Sequence, residues 1–194
     1  GSDSVEMSRK QLAMAAAAGV RTVCATPHFY PHKESIPSFL QRREASARLL
    51  RENLTADAPQ LQLGAEVLIC DGMERLDGLS RLCRGETNEL LLEMPFYQWP
   101  ETIWDTLYAL CERRDIEIVL AHAERYSPEA IEQLIRDNVA LQLNSECLTR
   151  PLHRKRYLTW IKNGSVKYLG SDIHMLGNGY RDFEKCRRLL KKEV

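Results

Sequence analysis

Residues 116–126 read Ile-Glu-Ile-Val-Leu-Ala-His-Ala-Glu-Arg-Tyr, and this stretch decides the fold class. Ile118–Ala121 is apolar without alternation, which is typical of a strand buried on both faces of a parallel sheet. A histidine, a glutamate and an arginine follow at once, so polar side chains stand where the strand ends. The pattern predicts an α/β protein with its chemistry at the carboxyl ends of the strands.

Five further apolar runs have the length of strands and alternate with helical patterns. The six predicted strands are Thr22–Pro27, Leu61–Ile69, Glu89–Glu93, Ile116–Ala121, Val139–Asn144 and Val166–Gly170. Among the predicted helices, Ser4–Ala18 is rich in alanine and stops at Gly19, and Ser127-Pro128 supplies an N-cap followed by a proline. This alternation indicates a largely parallel sheet. No linker or repeat divides the chain, so we expect residues 1–194 to form one domain.

Composition excludes several classes of protein. The chain has 27 basic and 27 acidic residues, so no overall field attracts it to nucleic acid or membrane. No apolar run approaches the roughly 18–20 residues of a membrane span, and no signal-peptide pattern opens the sequence. The six cysteines are scattered without a Cys-x-x-Cys pair, which is typical of reduced thiols in a cytoplasmic protein.

Potential metal ligands follow five of the six predicted strands. They are His28, Glu66, Glu93, His122, Asp172 and His174. Each one alone is compatible with a structural role, as a hydrogen-bonded histidine or an ion-paired carboxylate. Their recurrence at equivalent strand ends favours a metal site, because a buried carboxylate is costly without a cation or a strong partner. Imidazole and carboxylate together suit zinc, manganese or iron.

The ordered motifs resemble a known family. They are Thr-Pro-His (26–28), Gly-Ala-Glu (64–66), Leu-Leu-Leu-Glu (90–93), Ala-His-x-Glu-Arg-Tyr (121–126) and Ser-Asp-x-His (171–174). In this order they resemble the manganese-dependent tyrosine phosphatases of the polymerase-and-histidinol-phosphatase (PHP) superfamily, the CpsB/CapC type of bacterial capsule and exopolysaccharide operons. The resemblance implies a distorted (β/α)7 barrel, similar to a TIM barrel, that holds two or three Mn²⁺ ions.

The resemblance also implies a role for each matching residue. Glu66 bridges two metals, Glu93 and His122 complete one of them, Asp172 ligates the first metal, and His28 and His174 ligate the third. Arg125 binds the substrate phosphate, and a metal-bridging hydroxide attacks phosphorus. The implied partner is a phosphotyrosine-containing protein, namely a bacterial tyrosine kinase with an autophosphorylated tail. We expect neither nucleic-acid binding nor membrane insertion, and the chain could form a homo-oligomer.

Two departures from the family pattern stand out. Family members open with a strand carrying Asp-x-His-x-His and a loop ending in Asp-Asp-Gly, and Gly1 matches that last glycine by spacing. The resemblance therefore implies that the first barrel strand lies outside the sequence given. The second departure follows Ser-Asp-x-His, where the family has an arginine before a proline. Here residues 175–181 lack that proline, and Arg181 is the candidate second phosphate-binding residue or else a surface charge at a helix start.

Alternative functions remain open at this point. A cysteine-based phosphatase is excluded, since none of the cysteines is followed by an arginine six residues later. A PHP phosphoesterase acting on histidinol phosphate or a nucleotide uses the same site, with Phe29–Lys33 as part of the entrance and His32 as a surface residue of that loop. A degenerate, non-catalytic barrel is the third possibility. The basic run Arg154-Lys155-Arg156 is either a docking site for an acidic tail or a solvated helix face.

Overall fold

The computed structural model describes residues 4–174, 176 and 179–193. Gly1, Met175, Gly177 and Asn178 lie outside the described residues, so part of the segment 175–181, in which the family arginine was sought, is not described. The described strands are β1 (Thr22–Ala25), β2 (His28–Phe29), β3 (Gln60–Leu63), β4 (Glu66–Leu68), β5 (Glu89–Glu93), β6 (Glu117–Leu120), β7 (Ala140–Asn144) and β8 (Val166–Gly170). The described α-helices are α1 (Val5–Ala17), α2 (Ile36–Arg51), α3 (Glu101–Cys111), α4 (Pro128–Arg136), α5 (Ser145–Thr149), α6 (Arg154–Lys162) and α7 (Gly179–Glu193).

Helix boundaries follow local capping. The hydroxyl of Ser4 accepts the N–H of Met7 at 3.1 Å and starts α1, and the hydroxyl of Ser127 accepts the N–H of Ala130 at 3.3 Å and starts α4. In α4 a proline occupies the first turn, where its missing N–H removes no helical hydrogen bond. Within the described residues, no helix is both long enough and apolar enough to cross a bilayer.

The chain divides into two compact units. Unit one comprises residues 1–23, 53–60 and 122–194, and unit two comprises residues 24–52 and 61–121. The expectation that residues 1–194 form one domain stays a prediction, and each unit is described by itself below.

Unit two contains a parallel sheet in the order β2-β4-β5-β6. Its strands carry fully buried apolar side chains such as Val67, Leu90 and Leu92. Phe29 packs edge-on against Phe39 of α2, with ring centroids 5.1 Å apart, and both rings are buried. The apolar runs of the sequence predicted strands that are buried on both faces. For the strands of unit two this prediction is confirmed.

Unit one contains the parallel pair β7-β8, whose register shifts between Leu141 and Gln142. Helices α5, α6 and α7 lie in this unit, and α5 contacts both α6 and α7. Tyr157 and Trp160, one turn apart on α6, are buried with ring centroids 5.5 Å apart. The α/β class with parallel strands and intervening helices is therefore confirmed.

Two predicted strands are wrong in their extent, because the first ends early and the second is interrupted. The first, Thr22–Pro27, ends at Ala25, and the second, Leu61–Ile69, is interrupted at Gly64-Ala65. Pro27 has no N–H to donate to a sheet, which explains the first break. Gly64 sits where a Cβ would lie 3.2 Å from the Thr26 side chain, so the two segments approach closely at this point. β1 and β3 pair as a separate two-stranded sheet, while β2 and β4 join the larger one.

Candidate metal centre

Parallel register in unit two places three of the predicted ligands on one face. His28 begins β2 and lies opposite Glu66, the first residue of β4. Glu66 lies opposite Leu91 of β5, and Glu93 follows Leu91 by two residues. Since side chains alternate along a strand, residues level with each other or two apart project to the same side. His28, Glu66 and Glu93 therefore share one face of the sheet.

The donor atoms of these three side chains lie within 4.8 Å of one another. Nδ1 of His28 is 3.6 Å from Oε1 of Glu66 and 3.8 Å from Oε2 of Glu93. Both glutamates are only 7% exposed, whereas His28 is half-buried and connects the cluster to solvent. Two buried carboxylates beside an imidazole suit a divalent cation, because a cation compensates the cost of burying like charges together. The oxygen and nitrogen donors fit manganese, iron or zinc.

Tyr30 packs beside the cluster. Its ring stacks on the His28 imidazole, with centroids 5.7 Å apart and planes 14° apart. Burial raises the pKa of the Tyr30 phenol, and the negative charges of Glu93 and Glu66 add to the effect. Tyr30 is therefore close enough to the carboxylates to experience their field. His32, in the same loop, is exposed, as expected of a surface residue.

In unit one, the Ser-Asp-x-His segment places its acid and its histidine together. Nδ1 of His174 lies 3.0 Å from the carbonyl oxygen of Asp172 and 3.4 Å from its Oδ1. The Asp172 carboxylate accepts hydrogen bonds from the Arg125 guanidinium and, at 3.1 Å, from Nδ2 of Asn144. Asp172 has a φ of 48°, a left-handed conformation that is rare for residues other than glycine. The backbone is thus bent to turn this carboxylate towards Arg125 and Asn144.

His122 is held from two sides. Its φ is 33°, also left-handed, and the residue is 2% exposed. Its N–H donates to Oε1 of Gln142 at 2.6 Å, and its Nδ1 lies 3.2 Å from the Tyr126 hydroxyl. Burial raises the pKa of the neighbouring Glu124 carboxyl, although it accepts the N–H of Asn144 at 3.1 Å. His122 is thus held at both its backbone and its imidazole, and its role as a ligand stays a prediction.

A family model for capsular polysaccharide synthesis, CpsB/CapC, matches residues 1–194. The chain belongs to the CpsB/CapC family. The family resemblance inferred from the motifs is therefore confirmed. A search of curated proteins returned no match.

Solved structures agree with this CpsB/CapC assignment at the level of the fold. One comes from the crystallographic work on YwqE from Bacillus subtilis and CpsB from Streptococcus pneumoniae, described as unique metal-dependent tyrosine phosphatases. It is 22% identical and covers 99% of this chain and 81% of its own, with a TM-score of 0.77. Phospho-2-dehydro-3-deoxyheptonate aldolase from Thermotoga maritima is more distant. It is 13% identical and covers 98% of this chain and 66% of its own, with a TM-score of 0.50.

Two polar residues of this CpsB/CapC chain were not predicted from the sequence. Gln142 and Asn144 stand on β7, where Nε2 of Gln142 donates to Oδ1 of Asn144 at 3.0 Å. Together they hold the His122 N–H and the Asp172 carboxylate. The sequence did contain a signal for these two residues. Leu-Gln-Leu-Asn ends a predicted strand with a polar residue, and each of the other five predicted strands also carries a predicted ligand or is followed by one. Gly170 of β8 leaves room for this pair, because a Cβ there would lie 2.6 Å from Nε2 of Gln142.

The two arginines predicted to bind phosphate have different surroundings. Arg125 is 44% exposed at its side chain and is paired with Asp172. Arg181 is exposed on the first turn of α7. Neither position is tested by a bound anion, so their roles stay predictions.

Proposed function

We propose that this CpsB/CapC chain is a metal-dependent phosphomonoesterase that removes phosphate from phosphotyrosine in proteins. The observation that carries the proposal is the cluster of His28, Glu66 and Glu93, whose donor atoms lie within 4.8 Å of one another on adjacent parallel strands. Family membership supports a role in capsular polysaccharide synthesis. The structural relative described as a metal-dependent tyrosine phosphatase supports the reaction type.

The cation is proposed to be Mn²⁺, with iron or zinc compatible with the same donors. His28, Glu66 and Glu93 would hold it in unit two. The resemblance adds His122, Asp172 and His174 as further ligands for a centre of two or three ions. When bound, such cations lower the pKa of water and neutralise charge on phosphoryl oxygens. The closed (β/α)7 barrel and the single domain of the PHP type belong to the same proposal.

The chain's own residues would bind and orient the phosphoryl group. One N–H of the Arg125 guanidinium donates to the Asp172 carboxylate. A guanidinium has five N–H donors, so the remaining ones can donate to phosphate oxygens. Arg181 is the second candidate for this role. Phenolate is a good leaving group, because the tyrosine hydroxyl has a pKa of about 10. Departure of phenolate therefore requires no strong general acid from the protein.

The proposed partner is the phosphorylated tail of a bacterial tyrosine kinase, an assignment that rests on the family resemblance. Incubating the chain with such a kinase and following loss of phosphotyrosine by mass spectrometry addresses it directly. If the kinase stays phosphorylated while small aryl phosphates are hydrolysed, this partner is wrong and the reaction type stands.

The central experiment measures metal content and turnover together. The purified chain is loaded with Mn²⁺, Fe²⁺ or Zn²⁺ and assayed on a phosphotyrosyl peptide and on histidinol phosphate. Glu66→Gln and Glu93→Gln should each reduce bound metal and lower turnover at least 100-fold, since each removes a charged ligand from the cluster. Glu112→Gln, which changes an exposed glutamate of the same unit, serves as the matched control.

Three outcomes would contradict the proposal. Unchanged metal content in both ligand variants would remove the metal site from His28, Glu66 and Glu93. Preferential turnover of histidinol phosphate would indicate a small-molecule phosphoesterase. Absence of both metal and turnover in the unmodified protein would favour a non-catalytic module.

A further inference from the structure

The loop that follows β2 carries a lysine that packs on the tyrosine beside the candidate metal cluster. The ammonium nitrogen of Lys33 lies 4.3 Å from the centroid of the Tyr30 ring, and that ring stacks on His28 at 5.7 Å. Taken end to end, these distances put the ammonium no farther than about 10 Å from the His28 imidazole. A cation over the face of a tyrosine is attracted by the ring, which keeps it on that side of the loop.

Local hydrogen bonds fix this arrangement. The carbonyl oxygen of Tyr30 accepts the N–H of Lys33 at 2.9 Å and the N–H of Glu34 at 3.3 Å, so residues 30–34 form a tight turn. Glu34, the acid next to Lys33, is ion-paired with Arg42 of α2 at 2.5 Å. The adjacent carboxylate is therefore engaged elsewhere, and the ammonium of Lys33 keeps its charge available for another anion.

We propose that Lys33 binds the phosphate of the substrate at the metal centre and that Tyr30 positions it there. The proposal rests on the proposed function, since it adds a phosphate-binding residue to the same site. A phosphate monoester is close to a dianion at neutral pH, because its second pKa is about 6. The two buried carboxylates offset the charge of a bound divalent cation, so a further positive charge beside the cluster would add to its attraction for the dianion. Lysine binds phosphate as a mobile point charge, which suits its place on an exposed loop.

The sequence makes the role of this residue measurable. Lys33 is the only lysine between residues 24 and 121, the span that includes all of unit two, so no second lysine of that unit can take its place. Arg114 offers a control with the same change of charge in the same unit. Arg114 is exposed and lies just before β6, whereas Glu93 is the last residue of the neighbouring parallel strand β5. Arg114 therefore lies at the end of the sheet opposite to the cluster.

The test compares Lys33→Gln, Lys33→Arg and Arg114→Gln in the Mn²⁺-loaded protein. With a phosphotyrosyl peptide, Lys33→Gln should raise KM about 5- to 20-fold and leave kcat within about twofold, as expected from losing one contact between opposite charges at a partly exposed position. Lys33→Arg should restore most of the affinity, and Arg114→Gln should behave like the unmodified protein. The KM difference should shrink at about 0.5 M salt, since screening weakens exposed charge pairs.

Two further measurements separate binding from structure. Tyr30→Leu removes the ring on which the ammonium rests and should raise KM, whereas Tyr30→Phe keeps the ring and should not. Bound Mn²⁺, measured by elemental analysis, should be the same in Lys33→Gln as in the unmodified protein. A loss of metal in Lys33→Gln would overturn the proposal, because the residue would then act on the cluster instead of on phosphate.

Direct titration of inorganic phosphate into the Mn²⁺-loaded protein distinguishes failure of this inference from failure of the proposed function. Weaker phosphate binding in Lys33→Gln, but not in Arg114→Gln, supports the assignment even if no phosphotyrosyl peptide is hydrolysed. Normal turnover with an unchanged KM and unchanged phosphate affinity in Lys33→Gln overturns the assignment and leaves the phosphatase function intact.

Discussion

Binding of a divalent cation between Glu66 and Glu93 should stabilise the fold, and the size of the effect can be worked from the structure. The two carboxylates are buried, and their facing oxygens are no farther apart than 4.8 Å. At an effective dielectric constant of about 20, two unit negative charges at this distance repel by about 3.5 kcal/mol. A bound cation converts the repulsion into two favourable contacts.

The expected shift in melting temperature follows from mass action. A cation present at 100 times its dissociation constant stabilises the native state by about 2.7 kcal/mol. For a chain of about 200 residues, each kcal/mol raises the melting temperature by roughly 2–4 °C, so Mn²⁺ should raise it by roughly 5–11 °C. Glu66→Gln weakens binding by at least about 100-fold, which reduces the shift at the same Mn²⁺ concentration to about 1–2 °C. Without metal, the same variant should melt a few degrees higher than the unmodified protein, because the repulsion is gone.

Differential scanning calorimetry with EDTA and with Mn²⁺ measures both effects on one sample. Glu112→Gln, at an exposed position, should keep the full metal-dependent shift. A Glu66→Gln protein that still shows the unmodified shift would refute the reasoning. A metal-free Glu66→Gln protein that melts well below the unmodified one would refute it too. That result would mean that the Glu66 carboxylate has stabilising partners in the metal-free protein.

Three further predictions concern the framework of the site. Arg84→Gln should lower the free energy of unfolding by about 2–4 kcal/mol, because Glu89, which is 7% exposed, loses its guanidinium partner. Urea melts measure this loss, and the double variant Arg84→Met/Glu89→Leu should recover part of it. Gly170→Ala should displace the Gln142 amide from its hydrogen bonds to His122 and Asn144, and losing these bonds should cost about 1–3 kcal/mol, which thermal melts measure. An unchanged melting temperature would show that these hydrogen bonds add little to stability. Iodoacetamide at pH 8 should label exposed Cys111 first, because burial raises the pKa of the buried thiols and only thiolate reacts; peptide mass spectrometry reads the order, and equal labelling of buried cysteines would refute it.

The later strands were predicted closely and the early ones were not. Glu89–Glu93 and Val166–Gly170 were predicted with the bounds that the structure shows. Both runs are short and flanked by turn or polar residues, so their ends are marked in the sequence. The run at Thr22–Pro27 stops at Ala25, before β2 begins, and the run at Leu61–Ile69 spans β3 and β4, which belong to different sheets. Hydrophobicity continues through the break, and only the backbone limits at Pro27 and Gly64 mark it.

Part of the site could also be read from the sequence. His28, Glu66 and Glu93 were expected to meet because strand ends converge in parallel sheets, and their donor atoms lie together in unit two. The hydrogen bonds that orient Asp172 and His122 were not foreseen. They depend on left-handed backbone at both residues, and a sequence without glycine at these positions gives no sign of such a conformation.

The two-residue connection Gly64-Ala65 has a consequence for how the chain tolerates changes in length. Glu66 faces the cluster only because it sits level with His28 in the parallel ladder. An extra residue inserted in this connection would shift β4 by one step and turn the Glu66 side chain to the opposite surface of the sheet. Among the described connections, the two-residue links Thr26-Pro27, before β2, and Gly64-Ala65, before β4, are therefore where an insertion would displace a ligand while leaving every ligand residue in the sequence.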